Sequence, residues 1–109
     1  MELKRRLRIG DICIVKIENT TPHMGIVLSI HDNGLSSCCT ITSKSILPKM
    51  LEISAENTFG SLEHPSFIYP FPILVPTEQL EKKWIGVIDS EQQLEKIKTF
   101  IVKTVKAFI

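Results

Sequence analysis

Met24-Gly25-Ile26-Val27-Leu28-Ser29-Ile30-His31-Asp32-Asn33-Gly34-Leu35-Ser36-Ser37-Cys38-Cys39-Thr40-Ile41-Thr42-Ser43 reads as two strands around a turn. Residues 24–30 are apolar at both odd and even positions, the mark of a strand covered on both faces rather than one washed by water on one side. His31-Asp32-Asn33-Gly34 follows, with the Asn-Gly pair that tight hairpin turns favour. Residues 37–43 then form the returning strand. Because side chains alternate along a strand, Cys39 and Ile41 share one face and Thr40 and Thr42 the other. The expectation for that strand is one core face and one polar face.

Working upstream, residues 12–17 are rich in β-branched side chains, with Cys13, Val15 and Ile17 on one face. Gly10-Asp11 bounds this strand before, and a loop through Glu18-Asn19-Thr20-Thr21-Pro22 bounds it after. Downstream, residues 44–65 mix Pro48, Gly60 and Pro65 with short apolar pieces, and read as a long excursion containing one strand near Met50-Leu51-Glu52-Ile53. Residues 67–75 offer short extended pieces that Pro70 and Pro72 confine to sheet edges or strand ends. Pro76-Thr77-Glu78-Gln79-Leu80 reads as a helical turn, and Ile85-Gly86-Val87-Ile88 as another short extended segment.

The end of the chain changes period. Ser90-Glu91-Gln92-Gln93 matches a capping box, with Ser90 as N-cap and Gln93 three residues later. Leu94, Ile97, Ile101, Val105 and Phe108 then recur at three- and four-residue steps, one apolar stripe of a helix that should pack on the sheet. Phe100 and Val102 widen that apolar side, which suits either a broader core contact or a partner surface. The expected fold is mainly β with a C-terminal amphipathic helix.

Composition bounds the answer. At 109 residues, halving the chain would leave each part too small for a core, so residues 1–109 are expected to form a single domain. Hydrophobic residues make up 43% and charged ones 23%, a globular balance. The net charge of +1 is not the basic footprint of a general nucleic-acid binder, so any anion site must be local. Lys4, Arg5, Arg6 and Arg8 cluster at one end and Lys96, Lys98, Lys103 and Lys106 at the other. A basic terminus and a solvated helix face account for each cluster taken alone.

The three cysteines, Cys13, Cys38 and Cys39, are odd in number and include an adjacent pair, so reduced thiols in a reducing compartment are expected. His31 can be drawn with Cys38 and Cys39 as a metal site, but the spacings are not those of zinc ligands. We expect no metal and no cofactor. The apolar stretch after the basic N-terminus is broken by Gly10, Asp11 and Lys16, which leaves no signal-peptide core. The apolar segment at 67–75 falls far short of the roughly 20 residues that span a bilayer. The expectation is a cytoplasmic protein with no membrane role.

No phosphate-binding loop, dinucleotide fingerprint, nucleophile elbow or zinc-protease motif is present. What remains is an order of features: Ile9-Gly10-Asp11-Ile12 before the first strand, Gly25-Ile26-Val27-Leu28-Ser29 in the second, Ile41-Thr42-Ser43-Lys44 ending the third, and Ile85-Gly86-Val87-Ile88 before the capped helix. Over nearly its whole length this order resembles the MazF/PemK family of toxins. Their pattern runs Gly-Asp-Ile/Val, then Arg-Pro-x-Leu-Val-Leu-Ser, then Ile-Thr-Ser-Lys, then a glycine-containing strand and an amphipathic helix.

The resemblance implies an SH3-like small barrel of the CcdB/PemK kind that forms a homodimer. It implies the toxin of a type II toxin–antitoxin system, an endoribonuclease that cleaves single-stranded RNA without metal and is blocked by a cognate antitoxin protein. The family's catalytic pair is the threonine of Ile-Thr-Ser and the arginine of Arg-Pro. The threonine falls on Thr42; the arginine position is His23, followed by Met24 where the family has proline.

Attack of a ribose 2′-hydroxyl on the adjacent phosphate needs a proton acceptor, a proton donor for the leaving 5′-oxygen, and positive charge or donors for the phosphorane. Arginine supplies permanent charge, whereas histidine can shuttle a proton. His23 and Thr42 are therefore the candidate catalytic residues. Arg8, Lys16, Ser43 and Lys44 are the candidate RNA-binding residues. The plainer readings stand beside these: a loop histidine before a strand, a β-forming threonine on a solvent face, and solvated cations. Trp84 and Tyr69 suit base stacking, or a core or dimer anchor. Two other readings are a catalytically inactive SH3-like module that binds RNA or a peptide, and an unrelated small β-barrel.

Overall fold

In the computed structural model, the residues described are 6–16, 22–42, 50–53, 66–88 and 90–107. They form β1 (Asp11–Val15), β2 (His23–Ile30), β3 (Leu35–Thr42), β4 (Leu51–Ile53), β5 (Ser66–Ile68), β6 (Ile73–Pro76), α1 (Thr77–Lys82), β7 (Trp84–Val87) and α2 (Glu91–Ala107). The expected third strand began at Ser37; β3 begins two residues earlier, because the turn is tighter than its polar sequence suggests. His31 N–H donates to the Leu35 carbonyl (2.9 Å), Leu35 N–H donates to Asn33 Oδ1 (3.2 Å), and Gly34 takes φ +83°, a left-handed conformation that glycine adopts without a Cβ penalty.

All pairings are antiparallel, and the sheet runs β4-β5-β3-β2-β1-β7, with β6 also pairing β3. The sheet curls into a half-barrel. On its outer edge β3 carries β6 against its first half, from Leu35↔Pro76 to Cys38↔Ile73, and β5 against its end, at Ile41↔Ile68 and Thr42↔Phe67. A bulge between Val27 and Ser29 interrupts the β2–β3 ladder and admits one extra residue, which raises local twist.

Each face of the curled sheet has its own core. Ile12, Ile26, Cys39, Ile41, Ile53 and Ile68 lie on one face, where α2 lays down Ile97 and Ile101, with Leu94, Phe100 and Val105 alongside. The stripe read from sequence thus packs as expected, except that Phe108 lies outside the described residues. Gln93 N–H donates to Ser90 Oγ (3.3 Å), the first half of the expected capping box. Phe100 joins the core side, while Val102 stays half exposed.

The other face holds Cys13, Val15, Val27, Cys38, Val75 and Leu80, with Trp84 packed against them. This corrects the expectation that β3 has a polar second face: Cys38 is fully buried there, and Thr40 and Thr42 are half-buried. The physical reason is α1. Running from β6 on one side of β3 to β7 beside β1, it crosses this face and drops Leu80 onto it. Its start is pinned by Thr77 N–H donating to the Gly34 carbonyl (2.9 Å) and by the Ser36–Thr77 hydroxyl pair (2.6 Å).

Gly10-Asp11 ties three elements together. Gly10 N–H donates to the Val27 carbonyl (2.8 Å), the Gly10 carbonyl accepts from Ile88 N–H (2.9 Å), and Asp11 Oδ2 accepts from Arg8 N–H (2.8 Å). Gly10 does this at φ +94°, and a Cβ there would stand 2.9 Å from the Ile88 carbonyl oxygen and 3.2 Å from Leu94 Cδ1. Gly34 has nothing within 4 Å of a Cβ. Gly34→Ala should therefore cost only the left-handed penalty, about 1–2 kcal/mol. Gly10→Ala should add overpacking and lose about 2–5 kcal/mol in all. Urea unfolding of the two variants measures the difference; equal losses would refute the tie at Gly10.

Candidate functional site

Strand register decides what lies beside His23. Val15 pairs with His23 across β1–β2, and Met24 pairs with Ile41 across β2–β3. Continuing that last ladder by one residue sets His23 opposite Thr42, which itself pairs with Phe67; Phe67 pairs with Glu52. Directly opposed residues share a face, with Cβ atoms about 4.5–5.5 Å apart. Val15, His23, Thr42, Phe67 and Glu52 thus form one row across five strands, on the face of the second core.

The row grades from dry to wet. Val15 is buried, His23, Thr42 and Phe67 are half-buried, and Glu52 is exposed. One step back, Tyr69 N–H donates to the Thr40 carbonyl (2.9 Å), and the Tyr69 ring meets Phe71 edge-on at 5.5 Å between centroids. An imidazole, a hydroxyl and aromatic rings therefore share one partly open shelf. Such a shelf can exchange a proton, donate a hydrogen bond and offer π-faces to flat ligands.

Beside the His23 end lies a cavity of about 400 Å³ between α1 and the end of β1. Ile14, Val15, Pro22 and Val75 give it apolar walls; Gln79, Lys16, Lys82 and Lys83 give it a polar, cationic rim. Lys82 Nζ is 3.3 Å from Glu78 Oε1, but both side chains are mostly exposed. An exposed pair of that kind is worth only about 0.3–0.5 kcal/mol and gives way readily to a better anion. Glu81 is turned elsewhere, its Oε2 accepting from Leu7 N–H (3.1 Å). A second hollow of about 420 Å³ lies on the far side of the sheet, where Leu51 meets Lys96, Phe100 and Lys103 of α2.

Among the residues singled out from sequence, His23, Thr42 and Lys16 gather at this end of the sheet. Arg8 does not: it is exposed at the other end of β1, its backbone held by Asp11. Ser43 and Lys44 lie outside the described residues. Trp84 packs half-buried against the second core, the anchor role rather than a stacking one. Phe67, Gln79, Lys82 and Lys83 were not anticipated. The Lys82-Lys83 pair before Trp84 is visible in sequence, but only the crossing of α1 brings it to Val15.

The metal set that can be drawn on paper comes apart. Cys38 and Cys39 are buried in opposite cores, while His31 Nε2 lies 2.8 Å from Ser37 Oγ and 3.3 Å from Ser29 Oγ. Among the described residues no three His, Cys, Asp or Glu side chains are grouped to hold an ion, and no helix is long and apolar enough to cross a membrane. No protein-family model matches the chain, and no curated protein matches it either.

Burial pushes the Cys38 thiol up to about 11, and burial together with the neighbouring Cys38 pushes Cys39 up to about 12. Since the thiolate is the nucleophile, both stay inert at neutral pH. An unfolded chain releases these protons near pH 9 and the folded one does not, so stability is whole below pH 9 and falls as pH rises towards 12. A disulfide reagent at pH 8 should label the folded protein negligibly and all three cysteines in guanidinium. Rapid labelling of the folded state would contradict the two-core placement.

Proposed function

We propose that this chain is a MazF/PemK-type endoribonuclease on an SH3-like barrel, the toxin of a type II toxin–antitoxin pair, acting as a cytoplasmic homodimer on single-stranded RNA. The observation that carries the reading is that the Met24↔Ile41 pair brings half-buried His23 and Thr42, the next residue on each strand, to the same end of β2 and β3. The two residues that the family pattern picks out, from segments nearly twenty positions apart, lie on adjacent strands and share one face.

In this reading His23 takes the proton from the ribose 2′-hydroxyl as its oxygen attacks phosphorus, then returns it to the departing 5′-oxygen. The products are a 2′,3′-cyclic phosphate and a 5′-hydroxyl, with atoms and charge balanced and no metal required. Thr42 donates a hydrogen bond to a non-bridging phosphate oxygen, where charge grows. Lys16, with Ser43 and Lys44, holds that phosphate, and Arg8 at the far end of β1 meets a phosphate further along the strand. Phe67 and Tyr69 stack bases. The cognate antitoxin acts by covering this shelf.

A second reading has one observation in its favour. His23 stands where the family uses arginine, so the permanent charge at the scissile phosphate is missing. An SH3-like module that binds RNA or a peptide without cutting would keep the aromatic shelf and need no such charge.

One experiment separates the two: incubate the purified protein with long mixed-sequence RNA in EDTA, beside His23→Ala and Thr42→Ala variants whose folding is checked by circular dichroism. The nuclease reading expects cuts at a few defined sites, with each variant slowed roughly 100-fold or more. Intact RNA in the presence of a well-folded parent would end that reading and leave the binding module.

A further inference from the structure

We propose that the cavity between α1 and the end of β1 is a nucleotide-binding subsite that holds one base and its phosphate of a single-stranded nucleic acid. This goes beyond the catalytic pair and rests on the nucleic-acid reading of the shelf, but not on catalysis. Three observations converge on it.

The first is shape and lining. At about 400 Å³ the cavity lies within the range of small-ligand sites, and its walls combine an apolar floor of Ile14, Val15 and Val75 with a cationic rim. A flat base desolvates well against such a floor, while a phosphate needs charge at the mouth. The Gln79 carboxamide, on the same wall, offers both a donor and an acceptor to a base edge.

The second is electrostatics. In a chain whose net charge is only +1, Lys16, Lys82 and Lys83 converge on one opening. Among the described residues, the two carboxylates of α1 do not cancel them: Glu81 faces the Leu7 amide, and Glu78 holds Lys82 only through an exposed pair. The lysines come from two separate elements, β1's end and α1's end, so their convergence is a product of the fold and not of a local charge run.

The third is continuity. Val15 is at once a wall of the cavity and the cross-strand partner of His23, and Pro22, another wall, directly precedes His23. A strand whose phosphate rests at His23 therefore has its neighbouring nucleotide at the cavity mouth. The far hollow against α2 has lysines too, but it opens on the opposite face of the sheet.

The test measures binding without cleavage, using a fluorescein-labelled mixed-sequence 10-mer of single-stranded DNA, which lacks the 2′-hydroxyl. Anisotropy titrations compare the parent with Lys82→Ala/Lys83→Ala, with Gln79→Trp, which fills the cavity from an exposed helix position, and with Lys96→Ala/Lys103→Ala as the far-side control. The double α1 variant should weaken binding about tenfold and lower the slope of log K against log salt by roughly 1.4, at 0.7 per lost contact. Gln79→Trp should weaken binding with the salt slope unchanged, and the control should bind as the parent does. An RNA cleavage assay on the same proteins keeps the two claims apart. A parent that cuts RNA while the cavity variants bind and cut normally would overturn the subsite and leave the nuclease; a parent that cuts nothing while these variants lose DNA binding would do the reverse. Equal losses in the far-side control, or no DNA binding by the parent, would also overturn the subsite.

Discussion

The backbone hydrogen-bonding of β3 is the constraint from which the rest follows. Its eight residues give one edge wholly to β2 and divide the other between β6 and β5. β6 ends at Pro76 opposite Leu35, the first residue of β3, so the chain leaving β6 has no further β3 backbone to pair with in the plane of the sheet. It crosses the face instead, as α1, and returns at β7 beside β1. The burial of Cys38, the second core and the cavity under α1 all follow from that detour.

Much of this was legible because the signals were local. The hairpin advertised itself through two apolar runs and Asn33-Gly34, and α2 through Ser90 and a stripe whose members are one or two turns apart. Residues 24–30 even announced burial on both faces. What escaped was the burial of Cys38 on the second face of β3, because whether that residue meets water depends on Leu80 of α1, far along the chain. With Leu80 its one buried residue, α1 carries no sequence signal that it spans a sheet.

The candidate site divides in the same way. His23 and Thr42 were found through an ordered set of short motifs, and strand pairing brings these two distant positions to the same end of adjacent strands. Gly10-Asp11, another piece of that pattern, turns out to have a purely architectural account: a left-handed glycine that locks the start of β1 to β2 and to Ile88 at the end of β7, and a carboxylate that closes the turn onto the Arg8 amide. Phe67, Lys82 and Lys83 had no such pattern to betray them. Their relevance exists only after strands pair and α1 crosses.

In the ribonuclease proposed above, a histidine where the MazF/PemK pattern has arginine would change how labour is divided at the phosphate. An arginine both neutralises the phosphate and orients it through forked donors; a histidine that moves a proton must be neutral when it accepts one, so it cannot also hold the charge. The positive charge must then come from nearby side chains that do not titrate in the cycle. Lysines suit that need, since their ammonium groups act as compact point charges towards phosphate oxygens. Lys16, Lys82 and Lys83 stand at the mouth next to His23's strand partner, which is where such charge is useful. Three lysines converging on one opening, in a chain of net charge +1, is the arrangement that separating proton transfer from charge stabilisation would require.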